Sequence, residues 1–408
     1  MADHPAPPTR AAALQARAEG RHYDAIDLWR ALLLLHPEDP ALALELKQDL
    51  KAELHYPDSD PQFRRAARHL PDDAWMAHYT ALYAYHGTDL DALDGRGRRL
   101  LATHGQNPKL HALLGDVARQ RRDWAGAVAA FSEAVRLDGA NAEYAEKLRA
   151  ARMYLRVVPT LQDVGPAYDV AVINMDRNTE RWAELLRQFA RGKPTLHRAP
   201  AVEGSRLPTA AAQRLTGDAK AGRGTLGCFL SHASVWQHAL DRQAPHTLVL
   251  EDDVIPLVDL PAGVGGLPLP DGYDLCWVND RMEPRREGST FTAHPVAEVM
   301  RGFHPEDNAP GGDGYFISLQ GAAKLMRWVA EDGFRNNLDW RLVTYSMTPA
   351  DVAALPRPSV ATEILDTLAP IPQRADRLRS YVMHPALIRS VGVSSDREDQ
   401  DRLAEGRR

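Results

Sequence analysis

The sequence predicts an all-α N-terminal solenoid of helical repeats followed by an α/β domain with a largely parallel sheet. Three observations predict this arrangement. Residues 10–155 are dense in Ala, Leu, Arg and Glu, carry apolar positions at helical spacing and show almost no strand signal. Between Val157-Val158-Pro159 and Gly165-Pro166 that pattern is broken by Pro and Gly, which makes 156–167 a linker and 168–400 a second domain. Beyond it a strand, Tyr168-Asp169-Val170-Ala171-Val172-Ile173-Asn174-Met175, leads through a polar turn to a helix start at Asp176-Arg177-Asn178-Thr179-Glu180-Arg181-Trp182, and a second strand of buried type occupies 247–250.

The helical third repeats every 34 residues. Ala25, Trp29, Leu32, Leu33 and Pro37 align with Ser59, Phe63, Ala66, Ala67 and Pro71, and two periods later with Ala127, Phe131, Ala134, Val135 and Gly139. The copy between them falls on Leu93, Gly97, Leu100 and Leu101 and matches poorly. Leu114-Gly115 followed by Trp124 and Ala127 is the fullest copy. Small residues that let helices approach, with an aromatic one turn later, resemble the tetratricopeptide repeat. The resemblance implies a short solenoid whose concave face binds a protein or peptide partner; a packing or dimerisation scaffold is the alternative. Tyr79, Tyr83 and Tyr85 lie near such a groove, at a spacing that more often builds core.

Composition narrows the function. A chain with 44% hydrophobic and 25% charged residues is globular, and a net charge of −6 argues against a general nucleic-acid binder. Two cysteines, Cys228 and Cys276, cannot form a disulfide framework or a zinc cluster and suit a reducing compartment. The start Met1-Ala2-Asp3-His4-Pro5 lacks a basic and then apolar leader, and no stretch approaches the roughly 20 apolar residues of a membrane span. The expected location is cytoplasmic, with membrane contact peripheral at most.

The run Thr247-Leu248-Val249-Leu250-Glu251-Asp252-Asp253-Val254 sets three carboxylates at the end of a strand. Carboxylates this close repel, and desolvation would drive each toward protonation, so a hard divalent cation is the simplest way to keep all three ionised. That points to Mg²⁺ or Mn²⁺ and a phosphate-bearing substrate, against the plain alternative of a solvated acidic loop. Arg177 and Arg181 are one helical turn apart and suit phosphate contacts. The adjacent Ser231 and His232 do not face each other on a helix, and no G-x-S-x-G turn accompanies them, so they do not read as a hydrolase pair.

Taken in order, Asn174-Met175-Asp176-Arg177 with Arg181, Ala199 to Gly204, Gly227-Cys228-Phe229-Leu230-Ser231-His232 with Trp236, Leu250 to Val254, and Gly314 to Leu325 with Asp339 resemble glycosyltransferase family 25. The resemblance spans roughly 168–395. It implies a GT-A-like nucleotide-sugar fold, a Mn²⁺ or Mg²⁺ ion at the acidic run, and inverting transfer of a hexose, often galactose, from a UDP-sugar donor to a hydroxyl on a surface glycan or a protein or peptide acceptor. It implies Asp253 as the direct metal ligand, with Glu251 and Asp252 divided between the metal, its waters and the donor. Asn174, Asp176, Arg177, Arg181 and Gly227 fall in the donor pocket; Ser231 and His232 either help form it or lock the helix against the acidic strand; His384 and Asp396 lie in a C-terminal segment that either closes over the diphosphate or is a plain strand and tail. Asp339, at the family's later acidic position, and Asp313, in the glycine-rich loop 310–314, are the two named candidates for the base, with a carboxylate elsewhere left open. Members commonly carry a Glu just before the Gly-Cys block, where this chain has Thr225-Leu226, which leaves acceptor and sugar identity open. The competing reading is a non-catalytic tetratricopeptide adaptor with a transferase-like nucleotide-sugar-binding domain.

Overall fold

A computed structural model describes residues 7–53, 57, 60–79, 89–217, 222–282, 288–303, 310–335, 337–357, 362, 364, 374 and 376–390. Tyr83, Tyr85 and Asp396 lie outside the described residues. The chain divides into two compact units, and the division falls between Ala151 and Arg152. That point is inside a continuous helix, α9 (Ala142–Val157), rather than in the Pro/Gly stretch that follows.

The first unit runs through α1 (Arg10–Ala18), α2 (His22–Leu35), α3 (Pro40–Ala52), α4 (Pro61–Ala67), α5 (Asp72–Tyr79), α6 (Leu90–Thr103), α7 (Pro108–Gln120) and α8 (Trp124–Leu137) before α9. Sequence chemistry starts many of these helices. Asp39, Asp60 and Asn107 accept from the backbone N–H of the first turn, and each is followed by a proline, whose missing donor costs nothing there. Repeat positions are core positions: Ala25, Trp29 and Leu33, then Phe63, Ala66 and Ala67, then Ala127, Phe131 and Ala134 are all buried. The weakly matching copy obeys the same rule, with Leu93, Gly97 and Leu100 buried on α6. Tyr79 packs on Trp75 and His78 as core.

Asp49 fastens the first three helices together. It accepts from Arg17 of α1 and from Trp29 Nε1 of α2 at 2.7 Å, and stands 2.8 Å from His22 Nδ1. Burial works against its charge, but these donors outweigh burial and hold the carboxyl below its ordinary range. A paired, buried carboxylate of this kind is costly to break rather than strongly stabilising in itself.

The second unit is a seven-stranded sheet with helices, in strand order β2-β1-β3-β7-β5-β8-β6. The strands are β1 (Asp169–Asn174), β2 (Leu196–Pro200), β3 (His246–Glu251), β5 (Leu275–Trp277), β6 (Thr292–Pro295), β7 (Gly314–Ser318) and β8 (Ser380–His384); β4 (Val254–Pro256) and β9 (Ile388–Ser390) form a separate ribbon. β2, β1, β3, β5 and β8 run one way, while β7 and β6 run against them. The carboxyl ends of β1, β3, β5 and β8 and the amino end of β7 therefore share one edge.

Strand periodicity sorts the side chains. Ile173, Val249, Trp277, Tyr315 and Val382 pack in one cluster with Phe229 and Trp236 of α12 (Arg223–Asp241), Leu325 and Trp328 of α14 (Leu319–Asp332), and Leu342 of α15 (Leu338–Ser346). Phe316, turned the other way, meets Tyr168 edge-on. The Pro/Gly stretch expected as a linker is strapped to this unit: Ala262 N donates to Asp163 Oδ1 at 2.8 Å, and Gly265 N to Val164 O at 2.8 Å. Among the described residues no helix is long and apolar enough to cross a membrane.

Two glycines in the helical unit give opposite predictions. A Cβ on Gly115 would meet the Phe131 ring at 2.5 Å, so Gly115→Val should destabilise this unit by about 1–3 kcal/mol. Gly95, exposed inside α6, has nothing within 4 Å, so Gly95→Ala should stabilise it by about 0.5–1 kcal/mol. Urea unfolding followed by circular dichroism checks both signs.

Candidate functional site at the carboxyl edge of the sheet

β3 leaves the sheet as the chain reaches Glu251, and the three carboxylates then part company. Asp252 is turned inward and 7% exposed. It accepts from Asn174 Nδ2 at 2.6 Å and faces Arg181 at 3.4 Å, which ties β3 to the end of β1 and to α10 (Thr179–Phe189). Asn174 is itself fixed, donating to Asn178 O and accepting from Arg198 Nε at 2.7 Å. Asp253 differs. Its Oδ1 is buried and has no hydrogen-bond partner among the described residues.

Behind these carboxylates stands a neutral relay of rings. His232 of α12 is fully buried, with Nδ1 2.9 Å from Tyr315 Oη and Nε2 3.3 Å from Glu251 Oε1. Tyr315 Oη also accepts from Trp236 Nε1 at 2.8 Å. Burial, partly offset by Asp339, pushes the imidazole down to about 4, and burial raises the Tyr315 phenol well above its ordinary value. Both rings are uncharged at neutral pH.

Asp313, just before β7, is enclosed. It accepts from Asn279 Nδ2 at 2.6 Å, from Arg281 Nε at 3.0 Å and from the Ser390 hydroxyl of β9. Burial, joined by the charges of Glu251, Asp253 and Asp280, lifts its carboxyl well above the usual range against the pull of Arg281. Asp313 foremost, and then Asp253, Asp339 and Glu251, keep the Arg281 guanidinium charged against its partial burial. Asp339 sits in the first turn of α15, where its backbone N–H is capped by Asn337 Oδ1 and its Oδ1 accepts from Gly312 N at 2.7 Å. It is half-buried.

Most of the other sequence-derived residues have partners within the protein. Asp176 pairs with Arg198 at 2.6 Å and is exposed; Arg177 pairs with Glu203. Ser231 Oγ donates to Gly227 O at 2.7 Å and accepts from Val202 N at 2.8 Å, locking the loop after β2 onto α12. Gly227 permits that approach, since a Cβ there would lie 2.5 Å from Val202 O. His384 lies at the same sheet edge, buried, its ring edge-on to His294. Sequence reading missed Arg281, Asn279 and Tyr315. A signal was present for two of them: Val278-Asn279-Asp280-Arg281 follows a strand end just as Asn174-Met175-Asp176-Arg177 does.

The donor set fits a hard divalent cation. Asp253 supplies a buried oxygen without another partner among the described residues, and Glu251 lies two residues before it at the end of β3, whereas both oxygens of Asp252 are engaged within the protein.

Comparison with known proteins shows what this edge resembles. Residues 168–257 match the family described as Glycosyltransferase family 25 (LPS biosynthesis protein). The matching segment runs from the start of β1 through the acidic run; Asp313, Asp339 and Arg281 lie beyond it. Relatives include procollagen galactosyltransferase 2 of Homo sapiens, 34% identical over 191 residues, 42% of this chain and 29% of that protein. Procollagen galactosyltransferase 1 of Danio rerio is 30% identical over 195 residues, 43% of this chain and 31% of that protein. The chain thus matches under a third of the length of these relatives.

The neutral His232 carries a pH prediction for the metal-free protein. Unfolded, the imidazole takes a proton near pH 6.5; folded, it refuses one until about pH 4. Stability is therefore complete above pH 6.5 and declines as pH falls through this window, by up to roughly 3 kcal/mol. Urea midpoints measured across the window check the slope, which His232→Gln should flatten.

Proposed function

We propose that this protein is a divalent-cation-dependent, inverting galactosyltransferase that takes galactose from UDP-galactose and attaches it to a hydroxyl of a surface glycan or protein. The observation that carries the reading is the buried, unpartnered Asp253 oxygen at the carboxyl edge, inside the segment that matches family 25. Nucleotide ligands commonly bind at such an edge. The curated relatives are named as galactosyltransferases acting on procollagen, which supports the choice of sugar and keeps a protein acceptor in view. The few cysteines support a cytoplasmic setting.

In this reading Asp253 and Glu251 would hold Mn²⁺ or Mg²⁺, which would supply charge neutralisation at the departing diphosphate. Arg181, facing Asp252, and Arg281, coupled to Asp253 and Glu251, add fixed positive charge near the acidic run. The acceptor oxygen forms its bond to the anomeric carbon as the bond from that carbon to the diphosphate breaks, and the diphosphate leaves with the electron pair. A carboxylate must take the acceptor proton on the face opposite the leaving group. Asp339 suits this better than Asp313. Asp313 has Asn279, Arg281 and Ser390 closed around it, while Asp339 is half-buried and commits Oδ1 to a single backbone donor.

The test is UDP release from UDP-galactose, UDP-glucose and UDP-N-acetylglucosamine, with and without chelator, in the presence of glycan and collagen-like peptide acceptors. Chelator-sensitive release that prefers UDP-galactose is expected; no release from any donor contradicts the proposal. Asp339→Asn should lower kcat by about 10²–10⁴ with donor KM little changed, since its task arises in the transition state.

A further inference from the structure

Cys228 precedes His232 by one turn of α12, so the two side chains leave the helix on the same face. Glu251 faces them from the end of β3. One ligand atom from each residue, a thiol sulfur, an imidazole nitrogen and a carboxylate oxygen, lies within 4.8 Å of the other two. A mixed S, N and O set at this separation suits a tetrahedral cation of the Zn²⁺ type and differs from the all-oxygen set that Mg²⁺ or Mn²⁺ takes.

The histidine is prepared for ligation. Its side chain is 1% exposed, and Nδ1 is anchored on Tyr315 Oη, which Trp236 Nε1 fixes in turn. Orienting the ring through one nitrogen so that the other faces the metal is how ligating histidines are usually held. Here Nε2 is the nitrogen that faces Glu251, at 3.3 Å. The transfer reaction gives work to Glu251 but none to a thiol beside it. Cys228 is a thiol outside any disulfide and is partly accessible.

We infer that Cys228, His232 and Glu251 form a binding site for a thiophilic divalent cation of the Zn²⁺ class, with water completing the coordination. Loading releases the Cys228 proton to solvent as the Zn–S bond forms, so affinity rises with pH. Two cysteines are too few for a cysteine cluster, but a mixed site needs only one. The site stands on these three residues and not on the transferase reading. One consequence alone rests on that reading: a cation here takes Glu251 away from the hard-cation site, which makes zinc an inhibitor.

Co²⁺ serves as the spectroscopic probe, added to the chelator-treated full-length protein. The wild type should show a near-ultraviolet thiolate-to-cobalt charge-transfer band that Zn²⁺ bleaches. Cys228→Ser should lack the band and bind Zn²⁺ at least about tenfold more weakly in competition with a chromophoric chelator. Glu251→Gln should keep the band while weakening Zn²⁺ binding, which separates loss of a ligand from loss of fold. No band in the wild type overturns the proposal, as does a band that persists in Cys228→Ser and so belongs to Cys276. Sugar transfer is not read in any arm, so failure of the transferase reading leaves this test untouched.

Discussion

The bridge from Asn174 to Asp252 is the contact on which the carboxyl edge depends. It joins the ends of two parallel neighbours, β1 and β3, through a buried 2.6 Å hydrogen bond to a charged group. Arg181 approaches the same carboxylate from α10, and Arg198 holds the other side of the Asn174 amide. Without these donors Asp252 would be a desolvated charge beside two others. With them, its charge is balanced within the protein, while Asp253 Oδ1 keeps no hydrogen-bond partner among the described residues.

One acidic run therefore does two kinds of work, and geometry rather than composition divides it. The middle carboxylate points into the protein and is consumed by it. Its neighbours lie at the sheet edge, where His232, Tyr315 and Trp236 stay neutral while Arg281 stays charged. The edge thus brings carboxylates, neutral rings and a guanidinium close together. It is the same feature that places a thiol, an imidazole and a carboxylate close enough to attract a softer ion.

Much of this was legible in the sequence because local rules and tertiary packing agree. Asp-Pro and Asn-Pro pairs mark helix starts, and a 34-residue period marks positions that are buried even in its weakest copy, at Leu93, Gly97 and Leu100. The α/β unit announced itself through strand ends that run into Asn and Asp. What stayed hidden is orientation. A run of three carboxylates does not reveal which one turns inward, since that depends on Asn174, 78 residues away. Asp313 in a glycine-rich loop reads as accessible, yet Asn279 and Ser390 arrive from distant segments to enclose it. For Ser231 the sequence leaves a pocket role and a helix-locking role both open; its hydroxyl accepts from Val202 N and donates to Gly227 O, where a Cβ on Gly227 would lie 2.5 Å from Val202 O.

The most direct measurement of this division of labour is calorimetric titration of UDP-galactose with Mn²⁺, set beside urea unfolding, for Asp252→Asn and Asp253→Asn. The account predicts that Asp253→Asn abolishes Mn²⁺-dependent binding and leaves stability within about 0.5 kcal/mol, while Asp252→Asn costs about 2–4 kcal/mol of stability through the lost clamp. Metal-dependent affinity that survives in Asp253→Asn, or Asp252→Asn as stable as the wild type, would contradict it.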